Sequence, residues 1–423
     1  MTRFFRKHII LIFLYITCIQ FVTAQTPEQN KRKYDFYRER FKKDFVYFSG
    51  DAAEQGSYIP VEIRRMYDNG AVSLYWADGT WWLGHYVAVL SLEYARLKVE
   101  NAPVENTLDE LKQVLLTYRR LDMNAELCWN GEPERNGFYL RDDISASMAA
   151  TMNAAAIHSD YSYKCGDTLT LSNSPSQDQA WASYVGLALA KKLVDNAEIQ
   201  KLVVETAEMF FKSMQHTDGK KEYWEVANPV TGAVAQKRAD IQWLRYAHAA
   251  AYEYLADTAS TFGHAHRSFW KNAWNFIQNN FMIDKRGHFN WYGVMTLSVV
   301  INEWGSGARN IYDWTVRCGQ KLASKRPDLQ QPVMFPHLPL VALLLHGYSG
   351  DKLLPSELYV EMLDAAPAEG SSLRKSGGEA LRSPAPWHSM SMFCPWHSND
   401  VGEYNMLDYM LLYNAWFLVY AAK

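Results

Sequence analysis

Two groups of acidic residues have the side-chain type and the surroundings that acid/base catalysis requires. Asp142 and Asp143 follow Arg141 late in a long segment without helical periodicity. Asp178 lies in the first turn of a predicted apolar helix and shares one face of that helix with Trp181. One carboxyl group of a pair can protonate a leaving group while the other acts as a nucleophile or activates water. We predict that Asp178 and one of the two adjacent aspartates form such a catalytic pair. Burial beside Trp181 would suit Asp178 to the acid role.

Both groups also have a structural interpretation. The run from Arg141 to Asp143 is compatible with a salt-bridged turn that holds its loop. An acid such as Asp178 in the first turn of a helix stabilises the helix dipole. The sequence leaves these alternatives open.

Aromatic and polar residues recur where the apolar helices are predicted to begin. The residues predicted to bind a substrate there, together with Arg141, are Trp81, Trp82, His85, Gln179, Asp240, Trp243, Trp291 and His337. Such mixtures of aromatic and polar groups are typical of ligand pockets. A single tryptophan is more often part of a hydrophobic core, and Asp240 alone is most simply an N-cap. The recurrence at successive helix starts favours a binding face.

The last long loop contains a short repeat, in which Pro-Trp-His-Ser occurs at 386–389 and again at 395–398. We predict a lid in which Trp387, His388, Trp396 and His397 contact the substrate. The alternatives are a packed structural loop and a metal site at His388, Cys394 and His397. The spacing of these three residues matches no zinc pattern, so we expect neither a metal nor a cofactor.

Helical periodicity dominates the chain, and no stretch shows the alternating pattern of a β-strand. We predict twelve helices at residues 31–46, 81–99, 107–121, 175–195, 197–215, 240–257, 265–282, 290–304, 309–324, 336–348, 355–365 and 404–421. Helices that are apolar on nearly all sides alternate with amphipathic ones. An all-round apolar helix is buried, whereas an amphipathic helix has one face in water. The alternation predicts an all-α fold, an (α/α)6 toroid with an inner and an outer ring of six helices each.

The connections that precede predicted inner helices are mostly long, so the long loops should lie on one face of the toroid. They span residues 47–80, 122–174, 216–239, 283–289, 325–335 and 366–403. Long loops at one end of a rigid scaffold commonly carry function. Residues 144–157 could form an additional helix within one loop. The run from Thr107 to Glu110 predicts a capping box at the start of the third helix.

The first 24 residues predict a secretory signal peptide, with a basic start, an apolar run from Ile9 to Val22 and small residues before Gln25. A membrane anchor is the alternative, although fourteen residues are short for a bilayer span. Residues 25–423 form one predicted domain. Removal of three basic residues leaves 40 Lys+Arg against 46 Asp+Glu, a net charge of −6. Such a chain is a poor partner for nucleic acid or an anionic membrane.

The composition adds two observations. Aromatic residues make up 14% of the chain, including 15 Trp, which suits either an aromatic core or a groove for a ligand with flat faces. Four cysteines follow the predicted signal peptide: Cys128, Cys165, Cys318 and Cys394. Cys128 and Cys165 could pair, but other connectivities and four buried thiols are equally compatible with the sequence.

The helix alternation, the loop asymmetry and the Trp-rich starts of the inner helices resemble the six-hairpin glycosidase-like proteins. This (α/α)6 group contains glycoside hydrolases, polysaccharide lyases and sugar epimerases. The resemblance spans nearly all of residues 25–423 and includes no diagnostic motif. It implies a carbohydrate-active protein of this fold but does not fix the chemistry. Together with the predicted signal peptide and the acidic pair, it leads us to expect an exported, periplasmic or secreted glycoside hydrolase that acts on an oligo- or polysaccharide through paired carboxylates, without a cofactor.

Two other functions remain open. In a polysaccharide lyase, His85, His337, His388 or His397 would abstract a proton beside a uronate carboxylate. The second alternative is a saccharide-binding protein without catalytic activity.

Overall fold

A computed structural model describes residues 27–47, 58–66, 69–76, 79–144, 152, 154, 156–158, 177–214, 216–217, 222–238, 251–256, 356–366 and 403–422. Helices dominate these residues, as the sequence predicts. They are α1 (Pro27–Asp44), α2 (Gly79–Val99), α3 (Glu105–Met123), α4 (Gln177–Leu193), α5 (Ala197–Met214), α6 (Ser356–Ala365) and α7 (Leu407–Trp416). Each lies where a helix is predicted, and residues 251–256 are helical within the predicted 240–257. The predicted helices 265–282, 290–304, 309–324 and 336–348 lie outside the described residues.

The helices divide into buried and amphipathic classes, as predicted. In α2, 17 of the 21 residues are buried, and all ten residues of α7 are buried. In α3, only ten of 19 residues are buried, and the charged face points to water. Burial therefore separates α2 and α7 from the amphipathic α3.

Helix α2 packs between α4 on one side and α7 on the other. The amphipathic α3 packs against α2 and against its amphipathic neighbour α5, which in turn packs on α4. The N-terminal α1 packs against α7. This is the predicted contact between the first helix and the last inner helix.

The inner helices α2 and α4 run parallel and approach closely at two glycines. A Cβ atom on Gly84 would lie 2.4 Å from the carbonyl carbon of Ala182, and one on Gly186 would lie 2.3 Å from the Gly84 carbonyl oxygen. At the far end of α2, Lys98 Nζ lies 2.6 Å from Asp195 Oδ2, two residues after the end of α4. The two helices therefore begin at the same end of the molecule.

Two small sheets correct the expectation that the chain contains no strands. Strands β1 (Ile63–Met66), β2 (Val72–Tyr75), β3 (Ala156–His158) and β7 (Glu403–Tyr404) form one sheet in the order β3-β2-β1-β7. Strands β4 (His216–Thr217), β5 (Glu222–Ala227) and β6 (Val234–Arg238) form an antiparallel meander. Strands of two to six residues are too short for a reliable alternating pattern, and both sheets lie in segments predicted to be loops.

The four-stranded sheet brings the starts of α2 and α7 together. Ile63 pairs with Tyr75, just before α2, and also with Tyr404, just before α7. Three inner helices therefore begin at one end of the molecule, which we call the N-terminal face and define by Gly79, Gln177 and Leu407. Helix α3 runs back toward this face, since Thr117 near its end accepts a hydrogen bond from the Tyr58 amide at 3.0 Å.

Two local predictions are wrong. Helix α3 begins at Glu105 after an N-cap at Val104 without a side-chain cap, so Thr107 lies inside the helix. Its hydroxyl instead donates a hydrogen bond to Glu93 at 2.8 Å. This bond stabilises a carboxylate that is buried away from water. The last predicted helix, 404–421, is confirmed with a slightly later start, since it begins at Leu407 and continues into a π-helical turn, Phe417–Ala421. Strand β3, Ala156–His158, overlaps the last two residues of the proposed additional helix 144–157.

Tyrosine and phenylalanine rings fill the space between the inner and outer helices. Tyr34 of α1 stacks on Tyr413 at 4.8 Å between ring centroids, and Phe41 meets Tyr86 edge-on at 4.8 Å. Much of the aromatic excess is therefore core packing.

Cys128, in the 3₁₀ turn Glu126–Trp129, forms a disulfide bond. Its partner cysteine lies outside the described residues. The interpretation of four free thiols is therefore wrong.

Candidate functional site

The segment from Arg141 to Asp143 passes over the first turn of α2 on the N-terminal face. A Cβ atom on Gly79 would lie 2.5 Å from the Arg141 carbonyl oxygen, so only a glycine permits this approach. Asp142 and Asp143 are 0% and 1% exposed. Asp142 Oδ1 accepts a hydrogen bond from the Ile144 amide at 3.3 Å, which closes a tight turn. Both predicted carboxylates are thus enclosed by protein.

Asp143 forms a buried ion pair with Arg120 in the last turn of α3. The Arg120 side chain is 13% exposed, and its guanidinium Nε–H donates to Asp143 Oδ2. An arginine paired with a carboxylate in this environment makes a strong, charge-assisted hydrogen bond. The ion pair therefore anchors the Arg141–Asp143 segment to the end of α3.

Asp178 lies in the first turn of α4, on the same face of the molecule as Asp142 and Asp143. Because α4 is parallel to α2, the backbone of Asp178 lies at about the level of the first turn of α2. Its side chain lies outside the described part of the structure. The next residue, Gln179, is 1% exposed, and its carbonyl oxygen accepts a hydrogen bond from the Ser183 hydroxyl at 3.0 Å. The N-terminal ends of both inner helices direct backbone N–H groups toward this face, which favours negative charge there.

The described tryptophans at the inner-helix starts are packed within the protein. Trp81 is 4% exposed, and Trp82 and Trp181 are fully buried. The sequence predicts that these tryptophans bind a substrate at the helix starts. In the described part of the structure, however, neighbouring residues cover all three rings. Their role in binding a substrate stays a prediction.

His85 lies between two of these tryptophans, with ring centroids 4.9 Å from Trp81 and 5.5 Å from Trp82. Its Nδ1 atom is 2.8 Å from the Trp81 carbonyl oxygen. Burial lowers the pKa of His85 to about 4, so the imidazole is neutral at neutral pH. A 2% exposed imidazole is poorly placed to abstract a proton from a polysaccharide, which disfavours His85 as a lyase base.

The other predicted binding residues lie outside the described residues. They are Asp240, Trp243, Trp291, His337, Trp387, His388, Trp396 and His397. The proposed lid and its Pro-Trp-His-Ser repeat belong to this group.

Sequence reasoning missed Arg120 and a second pair of acids, Asp122 and Glu126, that hold the loop leading to Arg141. Glu126 accepts hydrogen bonds from the Glu134 amide at 3.1 Å and from the Asn136 side chain at 2.6 Å. The sequence placed Arg120 on the charged face of the predicted amphipathic helix 107–121 and Asp122 at the start of the loop 122–174. The apolar residues Leu121 and Phe138, next to these polar groups in the sequence, were the available signal that other residues cover the end of α3.

The arrangement brings acidic groups from two segments to one face of the inner helices. Asp178 is positioned by a helix, and Asp142 and Asp143 by a turn that is clamped from outside by Arg120. Within the ranges that the structure describes, no three His, Cys, Asp or Glu residues cluster as metal ligands. Carboxyl groups in such positions can transfer protons or act as nucleophiles.

We compared the chain with protein-family models, with curated proteins and with solved structures. No family model matches it, and neither a curated protein nor a solved structure is significantly similar to it.

Proposed function

We propose that this chain is an exported glycoside hydrolase that acts on an oligo- or polysaccharide. Asp178 is the general acid, and Asp142 or Asp143 is the second carboxylate. The observation that carries the proposal is the convergence of these acids on the N-terminal face. The Arg141 carbonyl packs on Gly79, and Asp178 begins the parallel neighbouring helix.

The two adjacent aspartates make different described contacts. One oxygen of Asp143 is held by Arg120, so Asp143 fixes the position of the turn. Asp142 Oδ1 accepts a hydrogen bond from the Ile144 amide, and either aspartate remains a candidate for the second catalytic carboxylate. Opening of the N-terminal face to substrate is part of the proposal, since both carboxylates are enclosed.

The packing of the described helices supports an (α/α)6 toroid as the scaffold. Two inner helices flank α2, and α1 contacts α7 as the outer partner of the last hairpin. A ring of six hairpins requires such a contact between the two ends of the chain. The long loops on the N-terminal face would then surround the substrate.

Two observations support export. The first residues have the pattern of a signal peptide, and Cys128 is in a disulfide bond, which is typical of oxidising compartments. No helix in the described ranges is long and apolar enough to cross a membrane.

The test is a product assay with the purified chain on a panel of neutral, acidic and amino-sugar polysaccharides. We expect new reducing ends without the ultraviolet absorbance of an unsaturated uronate. Asp178→Asn should lower kcat at least a hundredfold with the fold intact, because general acid catalysis contributes about 10²–10⁴ in rate.

Asp195→Asn is the matched control, since this exposed carboxylate follows the other end of the same helix. It should retain activity. An active Asp178→Asn variant would refute the assignment, unsaturated products would indicate a lyase, and binding without turnover would indicate a saccharide-binding protein.

A further inference from the structure

Asp122 is a buried carboxyl group that binds a loop with only one of its oxygens. It lies in the last turn of α3 and is 1% exposed. Its Oδ1 atom accepts hydrogen bonds from the Asn136 amide at 3.1 Å and the Gly137 amide at 2.7 Å. Its Oδ2 atom is buried and has no hydrogen-bond partner among the described residues. A charge on that oxygen would be poorly compensated.

A second carboxyl group completes the attachment of the same loop. Glu126 binds the Glu134 amide and the Asn136 side chain. Gly137 has a φ of 87°, a left-handed conformation that glycine adopts without strain. Residues 134–137 are therefore held on α3 and the 3₁₀ turn by two acids and a fixed turn.

The charged and titratable groups around Asp122 come from three elements. The 3₁₀ turn contributes Glu126, whose charge disfavours a second negative charge nearby. The loop contributes Tyr139 and Arg135, and Arg135 also lies 3.9 Å from Glu205 of α5. Arg135 is thus shared between two acids and compensates Asp122 only in part.

We propose that residues 134–137 form a proton-dependent clamp, docked on α3 when Asp122 is protonated and loosened when Asp122 loses its proton to water. Protonation removes the charge from the buried Oδ2 atom while Oδ1 keeps both backbone hydrogen bonds. Ionisation places a second negative charge beside Glu126 in a site that water does not reach. The undocked loop exposes Asp122 to water and relieves this cost.

The pH range follows from the pKa of Asp122. Burial raises it to about 7, against the lowering effect of the Gly137 and Asn136 amides. A carboxyl group whose pKa is higher in the docked state than in the undocked state stabilises the docked state. This contribution is complete at pH values below the pKa of the undocked group. It is lost as pH rises to the raised value. The clamp should therefore weaken between about pH 4 and pH 7 and remain weak above.

Hydrogen–deuterium exchange of the purified chain tests the clamp without any substrate. We expect the opening of peptides that cover residues 130–140 to increase on the order of tenfold from pH 5.5 to pH 8.5, after correction for intrinsic amide exchange. Asp122→Asn keeps a carbonyl oxygen for the two amides and cannot ionise. It should abolish this increase.

Two further variants keep the test decisive. Glu126→Gln removes the neighbouring charge and should move the midpoint to lower pH, while Asp195→Asn, a distant exposed carboxylate, should leave the wild-type profile unchanged. If Asp122→Asn does not fold, the expected move of the midpoint to lower pH in Glu126→Gln tests the proposal instead. Protection of residues 130–140 that is independent of pH in the wild type, or unchanged by both variants near the clamp, would overturn the proposal. Neither result depends on the proposed glycoside hydrolase activity.

Discussion

At the scale of single residues, Arg120 determines where the candidate carboxylates lie. It projects from an outer helix and pairs with Asp143 in a site where both side chains are almost completely covered. A buried ion pair adds little net stability, but its loss leaves an uncompensated charge in the protein interior. The side chain is therefore expected to matter more for the site than its place on an amphipathic helix indicates.

Arg120→Met should destabilise the protein by about 3–5 kcal/mol, because Asp143 remains buried without its cation. Urea unfolding followed by circular dichroism measures the change. Lys31→Met is the control, since Lys31 pairs with Asp35 at the surface with 43% of its side chain exposed, and such pairs contribute about 0–1 kcal/mol. Equal effects of the two substitutions would contradict the anchoring role of Arg120.

The sequence identifies candidate acids but not their partners. Asp142 and Asp143 stand out as adjacent carboxylates beside Arg141, and Asp178 stands out because it shares a helix face with Trp181. Nothing local distinguishes Arg120 from Arg119, since the contact with Asp143 spans 23 residues. A tryptophan at a helix start is compatible with a hydrophobic core and with a binding surface. The sequence alone does not separate the two, whereas the structure shows that Trp82 is buried.

At the scale of elements, the crossing of α2 and α4 depends on two glycines without side chains. The backbones touch at Gly84 and Gly186, where any Cβ atom would overlap the backbone of the facing helix. Backbone atoms cannot rotate away as a side chain can. The spacing of the two inner helices, and hence of the acids at their starts, is set by this contact.

Gly84→Ala should destabilise the protein by about 1–3 kcal/mol or more, because the helices must separate to admit the methyl group. Thermal unfolding measures the loss. Gly131→Ala is the matched control: its Cβ atom would meet the Val230 side chain, which is 43% exposed and free to move. If Gly84→Ala costs no more than Gly131→Ala, the close crossing is not needed for the fold.

Helices were predictable as elements and strands were not. The apolar pattern of α2 extends over 21 residues, long enough to specify both a helix and its burial. Strand β7 has two residues, and its partner β1 lies more than 300 residues earlier. Pairing of this kind depends on the assembled fold, so the local sequence contains no signal for it.

At the scale of the whole molecule, buried charges join the first helix to the first hairpin. Arg38 of α1 lies 2.9 Å from Glu93 of α2 and 2.8 Å from Glu110 of α3. The same helix packs its tyrosines on α7. Helix α1 therefore bridges the beginning and the end of the chain, as the closure of a ring of hairpins requires.

The alternation of buried and amphipathic helices predicted this relation between the chain ends, because each inner helix needs an outer partner. The order of the described helices agrees with it. The proposed toroid and the proposed chemistry both require one arrangement of the acidic side chains. Asp178 must face Asp142 or Asp143 across a space that admits a glycosidic bond.

The distance between the Asp178 carboxyl group and the nearer carboxyl group of Asp142 and Asp143, measured in a crystal structure, tests this claim most directly. The account predicts about 5–10 Å, where about 5–5.5 Å indicates a retaining and about 6.5–9.5 Å an inverting hydrolase. A separation well beyond this range, or an Asp178 side chain directed away from the N-terminal face, would contradict the account.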